Sequence, residues 1–508
     1  MSAPEYRFTL RSCRAQSGAA LLILLALIAI ATGAFLVNTF GASDHLESRE
    51  RRTEAALAEA KEALISYAAA YADTHSGEVP GYLPCPDFDG GNPEGSAELQ
   101  CGALPLVPGT PIPKDNTVMG RLPWRTLGLP NTRDGGKECL WYVVSGNFKS
   151  NPKTDLMNWD TNGLITVTGP DGNALATGNT PSGAVAVIFA PGPAIGGQSR
   201  TGVTAPICGG NYAASNYLDT SGGTNNADMT GIGANNIKSF IAGAAVAGTF
   251  NDRLIFITAA EIFDAIERRQ HVDPTVPATN PPTLVSFSTL LLNVTRRTAE
   301  CIADYPTYDN NLAANDWRLP WTTDQPFGSN DYGVNTNYDD TNNRFLGRTP
   351  LIVNRSITDT GSRMDDPPLL TTTLLAEAIC PGWGAVETWW QNWNDHIFYA
   401  VSEDFAPNGD DDDTDCGDCV SVIAPGPDPE YAGIVFFAGK RLNGQARNNN
   451  PNASTSTAKG QRSNYLEGEN ATTGTNGTGN FRTGAESPTF NDVLYCINED
   501  LSVMPCPQ

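Results

Sequence analysis

The sequence predicts an α+β protein. A long N-terminal helix, with a membrane half and an amphipathic half, leads into two tandem duplicated β-rich heads with short helices. Three observations predict this. An apolar run near the N-terminus flows into a helical pattern with no proline. The two halves of the remaining chain share matches in the same order. Short β-rich runs recur between clusters of Gly, Asn, Pro and Ser.

The 508 residues carry 32 Lys+Arg against 56 Asp+Glu, a formal charge of −24. Hydrophobic residues at 40% are enough to bury cores, and 50 Gly with 36 Pro imply many turns between short elements. So acidic a chain, with no basic stretch, excludes nucleic acid as a partner, because phosphate binding needs a Lys/Arg surface.

The helix comes first. From Ala19 to Phe40 every residue is apolar or small except Thr32, Asn38 and Thr39, and no charge lies between Arg14 and Asp44. About 22 helical residues cover a hydrocarbon core of ~30 Å. Arg7, Arg11 and Arg14 precede the run, so the positive-inside rule places them in the cytoplasm and the bulk of the chain on the far side of the membrane. A secretory signal is the competing reading, but it calls for a shorter apolar core and a small-residue cleavage site. From Ser43 to about Asp73, Leu46, Arg49, Thr53, Leu57, Leu64, Ala68 and Tyr71 fall near one face, and no Pro occurs between Pro4 and Pro80. One helix of about 55 residues, near 80 Å long, is the simplest description.

Basic leader, Gln16-Ser17-Gly18, then Ala19-Ala20-Leu21-Leu22-Ile23 resembles the prepilin peptidase site of type IV pilins and pseudopilins. The resemblance implies a leader over 1–18, cleavage after Gly18 and N-methylation of Ala19. It also implies a transmembrane and stalk helix over 19–75 that packs with other pilins. Most pilins carry Glu at the fifth mature position, which here is Ile23. In the family, its absence is typical of the tip pseudopilin of type II secretion and of some minor pilins. The implied function is a structural and assembly subunit of a type IV pilus or a secretion pseudopilus, at the tip or in a priming complex. The implied location is the inner membrane as a single-pass protein, with incorporation into an extracellular filament. A second patch, Leu83-Pro84-Cys85-Pro86-Asp87 with Gly120-Arg121-Leu122-Pro123-Trp124, resembles large pilin-like proteins of Gram-negative bacteria and brings no activity with it.

Self-comparison predicts a first head over 76–271, a proline-rich linker over 272–283 and a second head over 284–508. Arg121-Leu-Pro-Trp124 recurs as Arg318-Leu-Pro-Trp321, and the run Leu140–Phe148 matches Ile397–Phe405. Val187-Ile-Phe-Ala190 with Gly197-Gln-Ser-Arg200 answers Phe436-Phe-Ala438 with Gly444-Gln-Ala-Arg447. Asn216-Tyr-Leu-Asp219 answers Asn464-Tyr-Leu-Glu467, and Phe250-Asn-Asp-Arg-Leu254 answers Phe490-Asn-Asp-Val-Leu494. Helices are expected at Ala259–Gln270 and Leu284–Ile302. Trp124 and Leu140 lie 16 apart but Trp321 and Ile397 lie 76 apart, so an insertion is placed at about 322–396. Its Trp383, Trp389, Trp390 and Trp393 form either an adhesive patch or the cap of a satellite core, the second being preferred.

Eleven Cys are present, and ten remain if Cys13 leaves with the leader, an even count that reads as disulfides beyond a membrane. Cys85 with Cys101, Cys139 with Cys208, and Cys496 with Cys506 are the candidate pairs. Cys416-Gly-Asp-Cys419 sits among Asp410, Asp411, Asp412, Asp413, Asp415 and Asp418, and negative charge disfavours a thiolate, so a structural bridge is expected over a redox centre. Ca²⁺, a hard cation taking six to eight oxygens, is the one metal the acids suit, at Asp87, Asp89 and Glu94 or at Asp410–Asp413; neither place has full EF-hand spacing. No other cofactor is expected. Four His are scattered, and no nucleophile elbow, zincin motif or phosphate loop appears, so no catalytic residue is assigned and the chain is read as no enzyme. Two alternatives remain: an unprocessed single-pass inner-membrane protein with a periplasmic binding head, and a secreted hydrolase using carboxylates or calcium.

Overall fold

The computed structural model describes residues 46–91, 93–101, 114–153, 156–202, 207–230, 236–308, 318–323, 344–353, 372–407, 416–447, 458, 460–473 and 476–508. Its first element, α1, spans residues 46–69. This stretch is rich in Ala, Glu and Leu, all good helix formers. Ala56, Leu57, Ala60, Leu64 and Ala68 recur every three or four residues and are buried, whereas residues 46–52 are exposed. Gly135 meets the helix closely. A Cβ there would lie 2.0 Å from Arg49 O, so only glycine lets this loop dock, and its N–H donates to Thr53 Oγ1 at 3.0 Å.

The expected architecture needs correction here. No helix among the described residues is long and apolar enough to cross a membrane, so the single-pass inner-membrane placement is not supported. The long pilin-like rod is not shown either. α1 rises about 36 Å at 1.5 Å per residue, and its apolar stripe is spent on the head's core rather than kept as one face of a longer stalk. The predicted span Ala19–Phe40, with Gly18, Ala19 and Ile23, lies outside the described residues. What the structure does show is predominantly β.

Head one is a seven-stranded sheet. Its strands are β1 (Val118–Arg121), β2 (Trp141–Val144), β3 (Ile165–Thr168), β4 (Ala174–Ala176), β5 (Ala184–Ala190), β6 (Lys238–Ile241) and β7 (Arg253–Thr258). β5 is the hub, with β2 on one edge and β7 on the other, both antiparallel; β3 meets it only at Ile165–Ala184. β3 carries β4 antiparallel and β6 parallel. α1 covers one face of the hub, and Trp141, Val143, Val167, Val187, Phe189 and Phe240 fill the other. Both faces are buried, hence the near-continuous apolar runs of β2 and β5.

After β7 the chain enters α2 (Ala259–Glu267), started by a capping box in which Thr258 and Glu261 bond each other's backbone N–H. The proline-rich segment is a closed hairpin: 270–272 pairs antiparallel with 284–286, and Asp273 N donates to Thr283 O at 3.0 Å. That turn delivers α3 (Phe287–Tyr308) onto the second sheet.

Head two repeats the plan with β8 (Leu346–Arg348), α4 (Glu387–Trp393), β9 (Ile397–Val401), β10 (Val420–Val422), β11 (Glu430–Tyr431), β12 (Gly433–Phe437), β13 (Gly479–Phe481), β14 (Val493–Ile497) and β15 (Val503–Pro505). The main sheet runs β8-β9-β12-β14-β15, and β10 carries β11 antiparallel and β13 parallel, as β3 carries β4 and β6.

The registers revise two of the sequence matches. Arg121 pairs with Trp141 on β2, and Asp87 bridges Arg121; Arg348 pairs with Phe398 on β9, and Thr323 bridges Arg348. The partner of Arg121 is therefore Arg348. The second Arg-Leu-Pro-Trp aligns instead with 82–85, since Leu83 N and Leu319 N donate to Phe148 O at 2.7 Å and Phe405 O at 2.8 Å. Gly120 and Gly347 agree, because a Cβ on either would strike the crossing backbone, Asp87 O at 2.6 Å and Thr323 O at 2.2 Å. Likewise Phe189 stands opposite Trp141 and Phe436 opposite Phe398, so Phe189 answers Phe436 and not Phe437. One residue of slip would have turned every side chain of the strand to the wrong face. On these registers Arg121 and Trp141 are 20 apart and Arg348 and Phe398 are 50 apart, which puts the extra length of head two after β8.

The tryptophans form neither an adhesive patch nor a satellite core. Trp383, Trp390 and Trp393 are about 1% exposed and Trp389 9%, all inside the one apolar cluster that holds both α1 and α3. Trp393 packs edge-on against Trp159 at 4.6 Å, Phe263 at 6.5 Å and Phe287 at 5.6 Å between ring centroids. Disulfides join Cys85–Cys101, Cys139–Cys208, Cys301–Cys380, Cys416–Cys419 and Cys496–Cys506.

Candidate functional site at the seam of the two heads

The repeated sequence motifs converge into one polar network per head. In head one, Arg200 donates to Gly192 O at 2.6 Å, Asn216 O at 3.0 Å and Gln198 Oε1 at 2.6 Å, and Gln198 Nε2 donates to Asp219 Oδ1 at 2.7 Å. Asp252 Oδ2 accepts from Asp219 N at 2.8 Å and Asn226 Nδ2 at 3.0 Å. In head two, Arg447 donates to Gly439 O, Asn464 O and Gln445 Oε1, Gln445 to Glu467, and Asp492 accepts from Glu467 N and Asn470 Nδ2. Each network stacks a tyrosine between two guanidinium groups. Arg121 and Arg200 lie 4.9 and 4.7 Å from the Tyr217 ring, and Arg348 and Arg447 each lie 4.5 Å from that of Tyr465.

Each network also buries two carboxyl groups close together. Burial, helped by Asp219, pushes Asp252 up to about 7. Burial and Glu467 push Asp492 well above the ordinary carboxylate range. Like charges that near cannot both ionise cheaply in a poorly solvated site.

The heads part company where the network meets the seam. In head one Arg200 pairs with Glu138 at 3.0 Å, and the neighbouring Cys139 is bonded to Cys208. The matching stretch of head two is Asp395-His396. His396 is fully buried, with Nδ1 2.9 Å from Asp395 Oδ1 and Nε2 3.2 Å from Asp160 Oδ2. Asp160 comes from head one, in the loop before β3, and also lies 3.7 Å from Arg447. Asn158 Nδ2 donates to Asp395 Oδ1 and Asn392 O, both at 2.8 Å, while Asn392 Oδ1 accepts from Met157 N at 2.8 Å. Arg348 donates to the Asp395 carbonyl, and Tyr465 OH stands 3.5 Å from Asp395 Oδ2.

This cluster is built to hold charge. Burial alone would drive the imidazole pKa down, but the carboxylates of Asp395 and Asp160 outweigh it and the net shift is upward. Burial opposes the Asp160 carboxylate, yet His396 and Arg447 prevail and its pKa falls. A general base needs a ring nitrogen facing its substrate, and here both face carboxylates. The three side chains also bring ligand atoms within 4.8 Å of one another, as a metal site would. Arg447 already faces Asp160, so a proton on His396 fits this site better than a divalent ion. Asp160 borders a cavity of about 200 Å³ between the heads, walled by Trp159, Phe263, Glu267 and Lys440.

Of the predicted calcium ligands, Asp87 and Asp89 come near each other, but Glu94 is turned away to accept from Ile207 N at 2.6 Å and Cys208 N at 2.7 Å. Glu98 takes its place in the acid group. Asp87 is engaged by Gly90 N at 2.8 Å, Gly95 N at 2.7 Å and Tyr212 OH at 3.0 Å. Asp410–Asp413 lie outside the described residues. The seam cluster left no linear trace, because Asp160 and His396 are 236 residues apart. Only the match of Asn464-Tyr-Leu-Glu467 and Gly444-Gln-Ala-Arg447 to head one marked its surroundings. No family model matches this chain, nor does any curated protein or solved structure.

Proposed function

We propose that the chain is a structural and assembly subunit, a minor component of a type IV pilus or of a type II secretion pseudopilus, rather than an enzyme. The observation that carries this reading is how α1 sits. It anchors through Ala56, Leu57, Ala60, Leu64 and Ala68 and leaves residues 46–52 exposed. A head fixed on such a helix leaves the N-terminal segment to meet sister subunits. Five disulfides suit an oxidising compartment. A histidine whose two ring nitrogens both face carboxylates suits a lock better than turnover.

The reading names Gly18 and Ala19 as the processing site and prepilin peptidase as the processing partner. Co-expression with that peptidase is expected to remove residues 1–18 and add one methyl group to Ala19, both visible in the intact mass. An unchanged N-terminus overturns the reading.

A further inference from the structure

Among the described residues, one sheet edge carries a further strand in head two and none in head one. β15 pairs antiparallel with β14, setting Tyr495 opposite Pro505, Cys496 opposite Met504 and Ile497 opposite Val503, and the Cys496–Cys506 bond ties it down. The corresponding edge belongs to β7, for Leu254 and Leu494 face Phe189 and Phe436 on the equivalent hub strands. Past Thr258 the chain turns at once into α2, so among the described residues β7 carries no strand on its outer edge. Leu254, Ile255 and Phe256 are half-buried where Leu494 and Cys496 are fully buried. A cavity of about 350 Å³ follows this edge, bordered by Lys61, Glu261, Leu175 and Ala242. Leu175 is 51% exposed. Lys61 Nζ donates to Phe256 O at 2.9 Å and pairs with Glu261, the placement by which a lysine guards an open edge.

We infer that the outer edge of β7 is a docking site for one extended, apolar strand of a second polypeptide, added antiparallel as β15 is added to β14. The sister edge shows the occupant: a short apolar strand, Val503-Met504-Pro505, bound by main-chain hydrogen bonds, the mode of β-augmentation. Head one has the same edge and an apolar slot beside it, and among the described residues no strand of its own chain fills it. Lys61 would yield its carbonyl to the incoming strand. The site stands whether or not the chain enters a filament.

The test uses the full chain and a fluorescent peptide spanning residues 499–508 with Cys506→Ser. Saturable binding is expected, with exchange of alternate amides in 253–258 slowed about tenfold and β14 unchanged. Leu175→Asp on the slot wall should weaken binding about tenfold, and Lys61→Met should strengthen it about threefold by freeing the Phe256 carbonyl. Three results each overturn the proposal: no saturable binding at about 1 mM peptide, equal affinity for the Leu175→Asp chain, or amides of β7 already as protected as those of β14 without peptide. Circular dichroism of both variants checks that each remains folded.

Discussion

Head one and head two share a hub strand, two flanking antiparallel partners and a guanidinium–tyrosine–carboxyl network in which Arg200 and Arg447 make the same bonds, yet they are closed differently. Head one has a covalent clamp, Cys139–Cys208, beside an Arg200–Glu138 pair that retains some exposure. At the matching place head two has His396, and the acid that faces its Nε2 is Asp160 of head one. Head one therefore carries its own closure, whereas head two borrows one from its neighbour. The tryptophan cluster follows the same logic, since Trp393 of head two packs on Trp159 and Phe263 of head one.

The largest effect should come from the borrowed acid. Asp160→Ala leaves His396 and Arg447 with one buried carboxylate fewer, and removing one partner of a buried ion pair costs about 3–5 kcal/mol. Glu138→Ala, its counterpart in head one, removes a partly exposed partner and should cost about 1 kcal/mol or less. Urea unfolding followed by Trp fluorescence measures both. Equal losses would mean that the seam is no more demanding than an ordinary surface pair.

Next is the clamp. Cys139→Ser with Cys208→Ser opens a loop of sequence separation 69, worth about 4 kcal/mol in the chain-entropy model. The loss should fall on head one. Hydrogen exchange should show β1 and β2 opening while β9 and β12 keep their protection. If head two opens equally, the dependence runs both ways and the asymmetry drawn here is wrong.

Much of this could be read in the sequence, and the failures have physical causes. Runs such as Ala184–Ala190 and Ile397–Val401 announce themselves because both faces of the hub are buried and the composition is β-branched and aromatic. Thr258 and Glu261 mark the start of α2 by capping chemistry. The duplication is legible, but identical letters misled where geometry decides. Arg318-Leu-Pro-Trp321 copies the letters of 121–124 and takes the place of 82–85. The insertion's tryptophans gave composition without direction, so the burial of Trp393 against Trp159, 234 residues away, was out of reach. Asp160 with His396 is of the same kind, a pairing made by tertiary contact alone. The long rod failed otherwise: periodicity located the stripe of α1 and said nothing of what would bury it.

The third effect is on pH. The folded-state pKa of His396 is raised above its unfolded value, so its contribution is complete below about pH 6.5 and is lost as pH rises through the folded value. Asp160 works the opposite way, its contribution present above its unfolded pKa and lost as pH falls through the lowered folded value. Head two should thus lose stability as pH rises above about 6.5, with a slope that His396→Gln makes shallower. Head one has a disulfide at the matching place, so His396→Gln should leave its pH dependence, set by Asp252, unchanged. Unfolding midpoints of wild type and variant across that range decide it, and parallel curves would place the titration elsewhere.

The smallest effect lies in what the heads have in common. Asp252 is held at about 7 by burial beside Asp219, so the folded state takes up its proton more readily than the unfolded chain does. That favours folding below about pH 4, and the advantage drains away as pH rises towards 7. Asn at this position can keep the acceptor for Asp219 N and Asn226 without the charge, so Asp252→Asn should cost little at pH 4 and raise stability by about 1 kcal/mol at pH 8. Asp492→Asn should do the same for head two, because Glu467 N and Asn470 present the same donors. If Asp252→Asn is destabilising at pH 8 and Asp492→Asn is not, the two networks match in outline only, and the closure at the seam reaches further into head two than its hydrogen bonds record.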